Sequence, residues 1–314
     1  MWKNRSVFVF ICLAFTLFVF AGLWLLNSTK STQTVDVVYG RKFGMALTMD
    51  VMQPKTPNGI GVIFLISAGF RSDARWSETG FIEPEFYKPF LERGQTVFLI
   101  SHSASPKFTV QEIVKDIYRA VRFIRYHAET YKIDPDKIAI TGASSGGYLS
   151  LLVATGIGDE QDPVSKDIPP SMALRPDPVD SVSARIQAAG VFYPPADLMN
   201  YSKDGQSYLE KAPDFVRQSW GLTDKPWEEQ IAVLRSLSPY EFVNNKTPPI
   251  ILIHGARDPY VPLRQSERFL SKLKENEVPS TLIVKEDGNH GWGNIEVEYQ
   301  KVAEWFEQHL LTTP

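Results

Sequence analysis

Ser144, Asp258 and His290 are the residues of this 314-residue chain whose types, order and surroundings could do nucleophilic chemistry. Ser144 sits in Gly142-Ala-Ser-Ser-Gly146, the spacing Gly-x-Ser-x-Gly, between the mostly apolar run Ile138–Thr141 and the run Tyr148–Ala154. Strand, sharp turn and helix in that order expose a serine on a strained turn, where flanking glycines let neighbouring backbone pass. A serine hydroxyl is a weak nucleophile near neutral pH and needs a base. His290, in the loop Glu286-Asp-Gly-Asn-His290 after the run Thr281–Val284, is the candidate base. Asp258, four residues after the run Ile250–His254, is the candidate acid that would hold the imidazole in one tautomer and stabilise its cation. Asp197, after the run Ile186–Tyr193, is a rival acid.

Attack on a carbonyl also needs backbone N–H groups aimed where the oxygen becomes negative. One falls to Ser145, which follows the nucleophile at a helix start. The other falls to Gly69 or adjacent Phe70, in the loop Ser67-Ala-Gly-Phe70 after the run Ile60–Ile66. Trp76 and Trp292, with Phe70 and the aromatic residues of 197–237, are candidates for lining an apolar acyl or alcohol pocket. His254, beside Gly255, is expected to brace the acid loop through hydrogen bonding.

The elements that must position these residues alternate. Apolar runs without periodicity, as at Ile60–Ile66, Gln95–Ser101 and Ile250–His254, suit strands buried on both faces of a parallel sheet. Between them, Glu83–Arg93, Val110–Tyr131, Leu263–Lys274 and Ile295–Leu310 carry helical spacing. The fold class expected is therefore α/β, a mainly parallel sheet flanked by helices. Short helices from 197–237 form a small cap, and Gly156–Ser183 is a Pro-rich excursion over the sheet edge. Residues 34–314 form the catalytic domain, and 1–33 an N-terminal segment with a short linker.

Within that segment, Val7–Leu26 is a 20-residue, almost wholly apolar run preceded by Lys3 and Arg5. As a helix it would span about 30 Å, enough to cross a bilayer, with the N-terminus cytoplasmic and the catalytic domain outside. If the run is cleaved as a signal, the domain is secreted. Cys12 is the single cysteine and lies inside the run, so the exported domain has no disulfide. One cysteine and five scattered histidines indicate no metal site, and no cofactor motif is found. A net charge of -3 gives no electrostatic case for a nucleic-acid partner. Oligomeric state is not legible.

Thr141-Gly-Ala-Ser-Ser-Gly-Gly147, Ile253-His-Gly-Ala-Arg-Asp258, Gly288-Asn-His-Gly-Trp292 and Ser238-Pro-Tyr240 together resemble the α/β-hydrolase family, in its carboxylesterase-like and prolyl-oligopeptidase-like branch. The resemblance covers about Val35 to Leu310 and implies a serine hydrolase acting on small-molecule carboxylic esters through an acyl-enzyme. It leaves open a peptidase of the prolyl-oligopeptidase-like type and a non-catalytic, hydrolase-like binding protein. One departure stands out. Esterases of this kind carry His-Gly-Gly-Gly after the third strand, where this chain has Ser67-Ala-Gly-Phe70.

Overall fold

The computed structural model describes residues 31–73, 83–157, 177–202, 206–207 and 214–312. Eight strands form one sheet: β1 (Thr32–Lys42), β2 (Met45–Gln53), β3 (Gly59–Leu65), β4 (Thr96–Ile100), β5 (Ile133–Ala143), β6 (Ala188–Phe192), β7 (Ile250–Gly255) and β8 (Ser280–Lys285). Their spatial order is β1-β2-β4-β3-β5-β6-β7-β8. The hairpin β1–β2 is antiparallel and joins β4 antiparallel, whereas β4, β3, β5, β6, β7 and β8 run parallel. Every residue of β4, β6 and β7 is buried, which is why these strands read as continuous apolar runs.

Helices cover both faces. On one side lie α1 (Pro84–Glu92) and, at the chain's end, Glu296–Leu310, with Phe90, Val302 and Phe306 packed beside Val62, Phe64 and Ile251. On the other lie α2 (Val110–Tyr126), α3 (Ser145–Ala154) and the later helix Arg264–Glu275, packed over Ile63, Ile140 and Leu252. Three short helices, α4 (Asp214–Ser219), α5 (Trp227–Ser236) and α6 (Pro239–Phe242), precede α7 (Arg264–Glu275) and α8 (Glu296–Leu310). The α/β class and the flanked, mainly parallel sheet expected from the sequence are what the chain forms.

Two boundaries differ from expectation. Helix α2 stops at Tyr126 rather than Tyr131. Ala128 and Tyr131 are still buried, but in a turn that ends on Lys132 at φ 55°, so their apolar spacing does not continue a helix. Strand β5 then starts at Ile133, earlier than Ile138, because Gly59 pairs with Ile133 before the regular register begins at Gly61 and Ile138. The start of α2 follows local chemistry: Glu112 Oε2 accepts the N–H of Thr109 at 2.8 Å.

The run Val7–Leu26, Trp76 and most of the 156–183 excursion lie outside the described residues. Among the described residues, no helix is long and apolar enough to cross a membrane.

Candidate active site

Strands β3 and β5 are neighbours, and the chain leaves them toward opposite edges of the sheet. Ligand crevices in open α/β sheets lie beyond the carboxyl ends of strands at such a switch point. The loops after β3, β5, β7 and β8 all meet there.

Ser144 joins β5 to α3 at φ 55° and ψ -119°, a conformation non-glycine residues rarely adopt. Such strain costs about 1–3 kcal/mol and persists only where the surroundings enforce it. Here the Ser144 N–H donates to Phe192 O at 2.9 Å, and Ser144 O accepts from Tyr148 N–H at 2.9 Å. Gly142 is obligatory for this turn: a Cβ there would lie 2.6 Å from the Gly146 carbonyl carbon. Every residue of α3 is buried, so the helix is locked under the turn with its N-terminal amides at the site.

His290 lies in the loop after β8. Its Nε2 is 2.9 Å from Ser144 Oγ and its Nδ1 is 2.7 Å from Asp258 Oδ2. The Asp258 side chain is fully shielded from solvent, and Oδ1 accepts the N–H groups of Tyr260 at 2.8 Å and Val261 at 2.9 Å. Burial pushes the Asp258 carboxyl up, but contacts from His254 and His290 and the Val261 N–H outweigh it and hold it well below the usual carboxylate range. Asp258 is thus an anion whose second oxygen is free to hold the His290 Nδ1–H. That leaves Nε2 to accept the Ser144 proton. The two loops can approach because Gly255 has no side chain; a Cβ there would strike the carbonyls of Gly288 and Asn289.

His254 braces the acid loop from below, as expected. It is fully buried, with Nδ1 2.7 Å from Ser266 Oγ and Nε2 2.9 Å from Val261 O. The Nε2 to Asp258 Oδ2 separation is longer, 3.6 Å, so the hydrogen bond goes to the carbonyl and the carboxylate feels His254 as a nearby dipole. Asp197, the rival acid, is elsewhere. It is buried, paired with Arg268 Nη2 at 2.7 Å, and turned toward Asn200.

The loop after β3 forms a tight reversal. Ala68 and Arg71 exchange backbone hydrogen bonds at 2.9 and 3.1 Å, and Gly69 and Phe70 between them have φ of 57° and 64°. The Ala68 amide is therefore committed to Arg71. The amides of Gly69 and Phe70 have no partner among the described residues. Gly69 reaches the cavity wall, whereas the Phe70 ring turns away to pack against Tyr148 and Trp220, with centroids 5.8 and 6.0 Å apart.

A cavity of about 350 Å³ opens beside Ser144 and His290. Its apolar walls are Phe64, Phe86, Ile295, Tyr193 and Tyr299. The Tyr193 ring also lies 4.5 Å from His290, and Tyr260 meets the imidazole edge-on at 5.3 Å. Burial pushes the phenols of Tyr193 and Tyr299 above their ordinary range, so both stay protonated. Phe70 and Trp292 are not among the residues that line the cavity, and of the aromatic residues of 197–237, Tyr208 lies outside the described residues. The Trp292 indole N–H donates to the buried Glu298 at 2.9 Å, and its ring meets that of Tyr193 edge-on with centroids 6.1 Å apart. Trp220 and Tyr201 are buried in the core. The apolar wall comes from β3, α1, the end of β6 and α8, elements distant in sequence. Only the fold joins them, and no local motif marks Phe86, Tyr193 or Tyr299. Among the described residues, no group of His, Cys, Asp and Glu could hold a metal ion.

Sheet order, strained serine turn and hydrogen-bonded Ser–His–Asp run together define a protein of the α/β-hydrolase type. Comparison with known proteins narrows this: the chain belongs to the BD-FAE family, whose model matches residues 49–273. It is 30% identical over 249 residues to "Esterase LipQ" of Mycobacterium tuberculosis, covering 78% of this chain and 53% of that protein. To "Probable carboxylic ester hydrolase LipM" of the same organism it is 26% identical over 243 residues, 76% of this chain and 51% of that protein. The chain thus spans about half the length of these curated relatives. Among solved structures it resembles a "truncated form of carbohydrate esterase from gut microbiota", with TM-score 0.74, 23% identity, and coverage of 91% of this chain and 98% of that one. At that identity the likeness speaks for the fold alone.

Proposed function

We propose that the chain is a serine hydrolase cleaving carboxylic esters of small molecules through Ser144, His290 and Asp258. The observation that carries this reading is the continuous contact from Asp258 Oδ2 through His290 to Ser144 Oγ, at 2.7 and 2.9 Å. The names of LipQ and LipM support ester hydrolysis as the reaction. Ser144 Oγ attacks the ester carbonyl while His290 Nε2 takes its proton. The oxyanion is held by the N–H of Ser145 and that of Gly69. His290 then returns the proton to the leaving alcohol, and an acyl-Ser144 remains. Water activated by His290 attacks the acyl-enzyme, the acid leaves, and Ser144 regains its proton. Asp258 stays ionised and fixes the imidazole throughout.

The cavity's volume and aromatic lining suit a short to medium acyl or alcohol group. A panel of chromogenic esters of graded acyl length, run beside a prolyl dipeptide amide, tests the reading. Turnover of the shorter esters with no turnover of the amide is expected. Amide turnover faster than any ester would replace the esterase reading with a peptidase. The apolar run Val7–Leu26 further supports attachment to a membrane, with the catalytic domain on the far side from the cytoplasm. Expressed full-length chain should stay with membranes through an alkaline wash; release of the intact chain would refute the anchor.

A further inference from the structure

Ser67 is the residue of this site whose side chain has no assigned role. It follows β3 by two positions, lines the cavity with Ser144 and Gly69, and stands first in the four-residue loop that departs from the His-Gly-Gly-Gly pattern. Its Oγ lies 3.0 Å from the Oγ of Ser145. Either hydroxyl could donate in that contact, but their surroundings differ. Ser145 is buried, at 4% exposure, and among the described residues its hydroxyl has Ser67 Oγ as its one acceptor. Were Ser67 to donate, the Ser145 proton would be buried without an acceptor, at a cost of about 1–3 kcal/mol. With Ser145 donating, its buried proton is placed. The Ser67 O–H is then turned away from Ser145, and the space left to it is the cavity it lines.

We propose that the Ser67 hydroxyl is a third donor of the oxyanion hole, oriented by the Ser145 hydroxyl. The inference rests on the ester-hydrolase reading of Ser144. Ser145 would serve twice, its N–H donating to the oxyanion directly and its O–H aiming the Ser67 proton. The proton is shared with the oxyanion and not transferred, so Ser67 forms no covalent bond. This arrangement compensates for the changed loop. With the Ala68 amide bound to Arg71, a side-chain hydroxyl supplies what that backbone donor would supply.

The test compares Ser67→Ala, Ser67→Thr and Ser145→Ala on one short chromogenic ester, with binding of a trifluoromethyl ketone that forms a tetrahedral adduct. Loss of one oxyanion donor lowers kcat by about 100-fold or more. Ser67→Ala is expected to lose about that in kcat and as many fold in ketone affinity, with KM nearly unchanged. Ser67→Thr keeps the hydroxyl and should restore most of both. Ser145→Ala keeps its N–H and should lose less than Ser67→Ala. Turnover by Ser67→Ala within about threefold of the native chain, or equal losses in Ser67→Ala and Ser67→Thr, would overturn the proposal. A fluorophosphonate on the native chain separates the two levels. Labelled Ser144 with an unimpaired Ser67→Ala variant sinks this inference alone, whereas an unlabelled Ser144 sinks the reading beneath it.

Discussion

Asp258→Asn removes one charge and changes almost no volume, and the structure dictates how the amide must sit. Oδ1 receives two backbone N–H groups, from Tyr260 at 2.8 Å and Val261 at 2.9 Å. An asparagine can put its carbonyl there and keep both bonds, or put its NH₂ there and face two donors with a donor. The second choice forfeits two hydrogen bonds, about 1 kcal/mol each, and buries unpaired donors as well. The carbonyl therefore stays against the amides, and the NH₂ points at His290 Nδ1. That nitrogen must now accept, so the imidazole proton moves to Nε2, which then donates to Ser144 Oγ and cannot take its proton. A comparable change of tautomer lowers kcat by about 10⁴-fold in a serine protease, and a loss of about 10³ to 10⁴ is expected here. Steady-state ester hydrolysis, with circular dichroism to show an intact fold, reads the effect. An Asp258→Asn variant that folds and keeps kcat within tenfold of the native chain would refute the assigned roles of Asp258 and His290.

Three further outcomes follow from the same geometry. His254→Leu leaves Ser266 Oγ and Val261 O buried without their partner, at about 1–3 kcal/mol for each; urea denaturation should show the loss together with a fall in kcat, and unchanged stability would contradict the bracing role. Gly142→Ala drives a Cβ to 2.6 Å from Gly146 and must shift the serine turn, so kcat should fall about 100-fold, whereas Gly293→Ala, with nothing within 4 Å, should leave it unchanged; equal activity of the two variants would contradict the account. Asp258 binds its proton more weakly folded than unfolded, so its contribution to stability is present above the unfolded value of about 3.9 and is lost as pH falls from there toward the folded value. The stability gap between the native chain and Asp258→Asn should therefore narrow below about pH 4, and a gap constant from pH 7 to 3 would contradict the ionised, hydrogen-bonded carboxylate.

Much of this site is readable from the chain because its chemistry is local. The serine turn needs Gly142 and Gly146 at fixed offsets, and two-sided burial writes β4, β6 and β7 as unbroken apolar runs. What local patterns omit is which distant side chains meet. Tyr193, Phe86 and Tyr299 come from three separate elements and share a wall only because the sheet order brings β6, α1 and α8 together. The anchoring of the Trp292 indole N–H by the buried Glu298 is likewise a contact that no local spacing announces. The overlong reading of α2 has a similar origin, since Ala128 and Tyr131 are buried by a turn and not by a helix. Ser67 is legible as a departure from a pattern, but its use depends on a contact with Ser145 that no spacing announces.

The most direct test of the central claim is the site of covalent modification by a fluorophosphonate, mapped by peptide mass spectrometry on the folded chain. The account predicts one adduct per chain, on Ser144, abolished in Ser144→Ala together with ester hydrolysis while the fold is kept. An adduct on another residue, no adduct at all, or ester turnover retained by purified Ser144→Ala would contradict it.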